Sequence, residues 1–425
     1  MKVKLLLIFA MFYTILPEYF ALEVASGLPL LTGSRFLLLA VGLYALRQNS
    51  YTLRCRLYKN LYIFLFGITA LCLIHLKDSG AETVKALFSL YFEGLFLVIV
   101  LDNVIRSEYQ VRMILYMLML ASVIVSVLAV FEALTEFNPF YLLTTVRRSM
   151  MQTTFERIGI RRAEGPFGHP VYLTVFNVCV QPFALHYYEE TRHRGFLLVL
   201  ALNALSAIMT VSRGGILAMV IMWILYYISS SHIEKLRYTN FIIMIAILLL
   251  VGVIVVPPIR SFIGNMFGSI AGSFGIASKT STDHNTLGFA SRTGQLTGLI
   301  WLWRQNSFLF GLGPNAHTRG LVYYINQFSG KWNQVRSFDI GYLANFIEYG
   351  LAGFGFYLYF YASLFIASLK KDRHGLNRAF MFFYISYFLC LLSSVGIDKL
   401  FWFVTAVFIA YNSHPEQTAE EKIYA

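Results

Sequence analysis

"TVSRGGILAMVIMWILYY", residues 210–227, decides the class of the fold. Beyond Arg213 the stretch carries no charge, and the run ahead of it, about 196–211, is equally apolar. Crossing about 30 Å of hydrocarbon takes roughly 20 apolar residues, so the pair reads as two membrane spans with a cation at their junction. Comparable runs recur at about 4–22, 34–46, 57–76, 84–101, 113–135, 170–188, 214–230, 240–258, 340–369, 377–396 and 399–412. Counting the run at 196–211, the chain holds about twelve. The composition agrees: 57% of the 425 residues are hydrophobic and 13% charged, with mean hydropathy +0.63, whereas soluble domains are about one quarter charged. These runs lack the two-residue alternation of barrel strands, and backbone in lipid must satisfy its own hydrogen bonds, so the spans are predicted to be helices. The expected class is an all-α polytopic membrane protein, with residues 1–425 forming one integral domain of about twelve transmembrane helices.

Lys2 and Lys4 ahead of an apolar core imitate a signal peptide. No small-residue cleavage site follows and "PEYFALEV" continues the run, so it is kept as the first span. Cys55, Cys72, Cys179 and Cys390 lie in or beside spans without paired spacing, which suggests neither a disulfide framework nor a zinc site. With twelve spans both termini share a side. The short loops on that side, "RQNSYTLRCRLYK", "RSEYQVR", "TRHRG", "SHIEKLR" and "LKKDRHGLNR", are basic, which places both termini in the cytoplasm by the positive-inside rule.

The opposite side is basic as well. Two outer segments concentrate the charge: 136–169, with Arg147, Arg148, Arg157, Arg161 and Arg162, and a long loop at 259–339 between spans nine and ten. That loop sets Arg260, Lys279, Arg292, Arg304, Arg319, Lys331 and Arg336 against Asp283 and Asp339. Long loops are translocated largely regardless of charge, so the topology stands and the charge calls for an anionic partner outside. Neutralisation of lipid headgroups is the plain alternative. Arginine dominates both segments, and its planar fork suits a phosphate or pyrophosphate better than lysine does. Within the long loop, "LTGLIWLWRQNSFLFG" has the periodicity of an amphipathic helix lying along the membrane.

Read in order, "RAEGPFGHPVYLTVF" (162–176), "VSRGG" (211–215), "SRTGQLTGLIWLWRQNSFLFGLGPNAHTRG" (291–320) and "VRSFDIGYLANFIEYGLAGFGFYLY" (335–359) resemble the O-antigen ligase and polymerase superfamily, over roughly residues 160 to 395. That resemblance implies a GT-C-like inverting membrane glycosyltransferase, metal-independent and without a cofactor. It implies a donor glycan on undecaprenyl pyrophosphate, a glycan or lipid-linked glycan acceptor, and work at the outer face of a bacterial inner membrane. Membrane lipid and a chain-length regulator are further partners it implies, and nucleic acid is not among them. Carried onto this sequence, the resemblance gives Arg213 and Arg292 the donor pyrophosphate, with Arg161, Arg162 and Arg336 as weaker candidates for the same work. A helix-end arginine snorkelling to the interface remains the competing reading of Arg213.

Chemistry supports this division separately: charge builds on the departing phosphate, and in a chain whose outer loops show no metal-ligand cluster, arginine must supply the counter-charge. Ligases of the superfamily carry histidine, then serine or asparagine, then leucine four residues after the histidine, just before the span that follows the long loop. Here that place reads "DIGYL", with Asp339 where the histidine would stand, a form closer to the polymerase branch. "HNTL" (284–287) has the wrong spacing and place. Asp339 is therefore the expected base and His317 its reserve, while an N-cap for the following helix is the alternative role of Asp339. "GPFGHP" (165–170) reads as a turn, with His169 a turn or donor-contact residue. A lipid-linked oligosaccharide flippase is the competing class, although the chain shows no internal repeat and only Glu93 stands out as a mid-span charge.

Overall fold

The computed structural model describes residues 3–24, 28–46, 57–146, 155–157, 160–239, 294–326, 330–335, 337–370, 375–395 and 398–413. Its helices are α1 (Val3–Ile15), α2 (Gly33–Leu46), α3 (Leu57–Ile74), α4 (Leu76–Ser89), α5 (Leu97–Val104), α6 (Glu108–Thr135), α7 (Pro170–Thr191), α8 (Gly195–Met209), α9 (Arg213–Ser229), α10 (Gly298–Arg304), α11 (Gly341–Ser368), α12 (Leu376–Cys390) and α13 (Asp398–Ser413). A π-helical stretch, Leu90–Phe96, fuses α4 to α5. Among the described residues, strands are confined to three antiparallel pairs: β1 (Ala21–Leu22) with β2 (Leu31–Thr32), β3 (Glu156–Arg157) with β4 (Ile160–Arg161), and β5 (Tyr323–Ile325) with β6 (Trp332–Gln334). Four stretches among the described residues are long and apolar enough to cross a membrane: Leu57–Ile74, Leu76–Val104, Glu108–Thr135 and Gly341–Ser368. The chain is thus a mainly helical protein compatible with the all-α membrane class.

Each apolar run that falls within the described residues forms a helix, with shifted bounds. The first run helps only as far as Ile15, because Pro17 lacks the N–H to continue it. The run near 84–101 belongs to a longer helix that starts at Leu76. The span expected at 240–258 and the loop from 259 to 293 lie outside the described residues.

Helices α7 and α13 form the middle of the bundle. From Leu400 to Ala410 every residue of α13 is buried, which is how an all-round apolar helix must be placed. Asn177 of α7 is buried as well and finds partners: its Nδ2 donates to Ser206 Oγ (2.8 Å), and Ser126 Oγ donates to Asn203 Oδ1 (2.8 Å) and to Asn177 Oδ1 (3.3 Å), tying α6, α7 and α8 together. Interhelical bonds of this type hold helices together where water is absent. Outward faces expose large apolar side chains such as Phe66, Leu134, Leu198, Ile224 and Ile366, more than a protein in water usually leaves open.

Chain direction alternates, so the bundle has two distinct ends. One end gathers ion pairs, Arg112 with Glu190, Arg378 with Glu189 and Arg192 with Glu234. The other gathers the end of α3, the starts of α7, α9, α11 and α13, and the described residues between 294 and 339. Residue 239 lies at the first end and residue 294 at the second.

Helix α11 is broken at Gly350, whose φ of 66° and ψ of −169° no side-chain-bearing residue adopts readily. Residues 308–313 lie along the break, 308–310 as a turn closed by Gly311 N donating to Ser307 O (2.7 Å). Leu312 N donates to Ile347 O (3.0 Å), Gly313 N to Glu348 O (2.9 Å), Leu351 N to Phe308 O (2.9 Å) and Ala352 N to Leu309 O (3.0 Å). The approach leaves no room for a methyl group, since a Cβ on Gly311 would meet Glu348 O at 2.3 Å and one on Gly350 would meet the Leu309 carbonyl at 2.4 Å. This pairing corrects the expected amphipathic helix over "LTGLIWLWRQNSFLFG": helix α10 stops at Arg304, because the chain beyond it is recruited by the carbonyls and amides that the break in α11 sets free.

Candidate functional site

The turn between α8 and α9 is tightly fixed. Val211 sits at φ 50°, an unusual place for a β-branched residue and one that only a constrained turn sustains. The two glycines after Arg213 let α9 approach its neighbours: a Cβ on Gly214 would meet Ser393 Cβ and Oγ at 2.3 Å, and one on Gly215 would meet Thr174 Cγ2 at 2.3 Å. "RGG" is therefore one half-buried cation followed by two positions where only hydrogen fits. Arg162, 7% exposed, holds the same turn from below, its Nε donating to Thr210 O at 2.6 Å. Arg161 donates to the Glu136 carbonyl at the end of α6. Near it burial pushes the Glu164 carboxyl up, opposed by the Tyr141 hydroxyl, which donates to it at 2.9 Å, and by both arginines.

A cavity of about 850 Å³ opens at this end of the bundle. Its mouth is polar, with His169, His317, Asp339, Glu348 and Lys85, and its deeper wall is aromatic, including Phe64, Phe360 and Trp402. His317 Nδ1 donates to Glu348 Oε1 at 3.2 Å, and its ring meets Phe338 edge to face at 5.2 Å. Glu348 owes its position to the break in α11, two residues before Gly350. A carboxylate on Nδ1 fixes the tautomer and leaves Nε2 free to accept a proton. Asp339 is held by Gln295, whose Nε2 donates to Oδ2 at 3.3 Å and whose Oε1 accepts from the Asp339 backbone N–H at 3.1 Å. The first residue ahead of α11 is Ile340, with no side-chain cap, so Asp339 does not cap that helix.

His169 starts α7: its Nδ1 accepts from Val171 N at 3.2 Å, as an N-cap does. Burial, then the nearby Arg162 guanidinium, draw its pKa down from the usual 6.5 to about 4. Lys85 pairs with Glu82 at 2.8 Å, and Asn315 Nδ2 donates to the other Glu82 oxygen at 2.8 Å. Segment 308–319 is further bound to α3 and α4, with His75 Nε2 donating to Phe310 O (3.1 Å) and Arg319 Nη1 to Asp78 O (3.4 Å).

Of the residues singled out from the sequence, Asp339 and His317 meet in the cavity, joined by His169. Arg213 adjoins it through the contact of Gly214 with Ser393, which lines the wall. Arg162 borders it beside His169, and Arg161 lies farther off at the end of α6. Arg292 and Arg336 lie outside the described residues, as do Arg147 and Arg148. Glu348 and Lys85 escaped the sequence reading. The signal for Glu348 was present in "NFIEYG", a carboxylate inside an apolar run immediately before a glycine. Glu93, the conspicuous mid-span charge, is paired: Arg35 Nε donates to it at 2.9 Å and Ser89 Oγ at 2.7 Å. No protein-family profile matches this chain, and no characterised protein matches it in sequence.

Proposed function

We propose that the chain is a membrane glycosyltransferase of the O-antigen polymerase type. It transfers a glycan from undecaprenyl pyrophosphate onto an acceptor sugar hydroxyl at the outer face of a bacterial inner membrane. The observation that carries this reading is the cavity in which a carboxylate-backed histidine and a second carboxylate stand beside the arginine-bearing start of α9. Its polar mouth suits sugars and its aromatic depth suits the first isoprene units of a lipid carrier. Twelve spans, cytoplasmic termini and a GT-C-like arrangement belong to the same proposal, supported by the alternating helices and by residues 239 and 294 standing at opposite ends of the bundle.

In this mechanism the pyrophosphate docks at the start of α9, where Arg213 and the first-turn N–H groups favour an anion. Arg292 is its second clamp in the proposal. We assign the base to His317 rather than Asp339, because Glu348 fixes the His317 ring with Nε2 outward. The acceptor hydroxyl gives its proton to that nitrogen and its oxygen attacks the anomeric carbon. The bond from that carbon to the pyrophosphate oxygen breaks with inversion, and its electron pair leaves on the pyrophosphate, stabilised by arginine. Asp339, steadied by Gln295, orients the attacking hydroxyl.

The test is reconstitution in vesicles with a lipid-pyrophosphate oligosaccharide, followed by gel sizing of the product. A ladder of longer glycans on the lipid is expected. Transfer of the glycan to a lipopolysaccharide core in place of a ladder would make the chain a ligase. Movement of the lipid across the bilayer with no change in glycan length would replace the proposal with a flippase.

A further inference from the structure

We propose that the β5–β6 hairpin and Gln295 form a subsite for neutral sugar units of the acceptor glycan. A second cavity, of about 510 Å³, lies against the hairpin and is lined by Gln295, Tyr324, Trp332, Asn333, Gln334 and Ser337 among others. Ser337 lines the larger cavity too, so the two adjoin. Among its described residues the lining has three side-chain amides, a hydroxyl, a phenol and an indole, and no charged group. Each feature answers one property of a sugar. The Asn333 amide offers two donors and an acceptor to neighbouring hydroxyls, and the Tyr324 ring on the same face covers a sugar's C–H side; the Gln295 amide is already committed to Asp339 and the Ser337 carbonyl. A polyprenyl chain would demand an apolar wall.

The subsite is assembled before any ligand arrives. Trp332 packs on Trp301 with ring centroids 5.3 Å apart, and the Arg304 guanidinium lies over its ring at 5.4 Å. Trp301 in turn packs on Tyr323 at 4.9 Å and donates from Nε1 to Leu321 O at 2.9 Å. Thr297 Oγ1 accepts from Ile325 N at 2.7 Å, fixing the hairpin to the start of α10. Across the hairpin Tyr324 stands opposite Asn333, so a ring and an amide share one face. Surfaces held this way lose little freedom on binding.

Gln295 links this surface to the chemistry. Only 5% exposed, it lines the second cavity while both atoms of its amide bond Asp339. A glycan seated along Tyr324 and Asn333 therefore delivers its terminal hydroxyl to the carboxylate at the mouth of the first cavity. The identity of the occupant as the acceptor rests on the proposed transferase reading; the affinity of the hairpin for sugar does not.

The test separates the two. The purified full chain in detergent is passed over an array of neutral bacterial oligosaccharides, free of lipid and phosphate. Binding by the wild type is expected, with at least a tenfold loss for Tyr324→Ala, the scale of one central contact. Asn333→Ala should show a several-fold loss; because it trims an exposed amide and leaves the hairpin's packing intact, it guards against misfolding. No binding to any neutral oligosaccharide, or equal binding by both variants, overturns the subsite. Sugar binding lost in the variants but no transfer activity in the wild type keeps the subsite and removes the acceptor assignment. In the transfer assay, both variants should raise the acceptor KM and leave the donor KM unchanged. A rise in donor KM instead would assign the surface to the donor and overturn the proposal.

Discussion

Adding one methyl group at Gly214 is expected to disable the site without touching a reacting group. Its Cβ would lie 2.3 Å from Ser393 Cβ and Oγ, where carbon atoms at rest keep about 3.5–4.0 Å. The start of α9 would have to retreat by roughly 1.2 Å or more, and overpacking of this kind costs about 1–3 kcal/mol. Because Arg213 precedes Gly214 directly, the retreat carries the guanidinium with it. A misplacement of about 1 Å costs on the order of 100-fold in rate. Thermal unfolding of Gly214→Ala in detergent should therefore fall, and ladder synthesis should fall about 100-fold. Ser393→Gly deletes both obstructing atoms, so the double variant should recover most of each loss, a coupling of about 0.5–3 kcal/mol. Unchanged stability and turnover in Gly214→Ala would refute the reasoning, as would two changes that simply add.

Other expectations concern the chemistry and the topology. His317→Gln should lower transfer by about 10²–10⁴-fold, and Glu348→Gln should lower it less while shifting the pH profile; equal activity across pH would remove the dyad. Asp339→Asn should keep the wild-type melting temperature, since Asp339 caps no helix, and lose transfer by about tenfold or more; a loss of stability instead would restore a structural role. For His169, the folded pKa of about 4 lies below the ordinary 6.5, so its contribution is complete above pH 6.5 and disappears as pH falls through 4. Melting followed across that window should show an acid-sensitive step that His169→Asn abolishes while keeping the cap, and His169→Ala should cost about 1 kcal/mol at neutral pH. Cysteines introduced at exposed Gln305 and His232 should differ in intact cells, Gln305→Cys reacting with an impermeant maleimide and His232→Cys only after permeabilisation. The reverse pattern would invert the proposed orientation.

Hydropathy reveals a helix only where the helix is apolar. The apolar run at 214–230 and helix α9 differ by one residue at each end. The run near 84–101 missed the first turns of α4, because Lys77, Asp78 and Glu82 are charged yet helical. Segment 296–311 misled beyond Arg304 for another reason. Its apolar spacing fits a helix, but Gly311 and Gly313 adopt φ of 79° and 86° to pair with α11, and no local pattern announces a distant helix with carbonyls to spare. At the site, Asp339 was singled out by its place just before the span at 340–369, where the resemblance puts a histidine, and His317 only as a reserve in the loop; both line the cavity. Glu348 was not singled out, because its partner His317 lies 31 residues earlier and only the break at Gly350 brings them together.

Segment 308–319 is seamed on two margins, to α11 by backbone hydrogen bonds and to α3 and α4 by His75, Asp78 and Glu82. A rim sewn along two edges holds its place, so the mouth that Asn315 and His317 line keeps its shape as ligands come and go. For a lipid-borne sugar, the search takes place in two dimensions. Encounter is set by how densely the carrier populates the leaflet, not by a bulk concentration, and turnover should respond to carrier mole fraction in the vesicle while remaining indifferent to vesicle dilution.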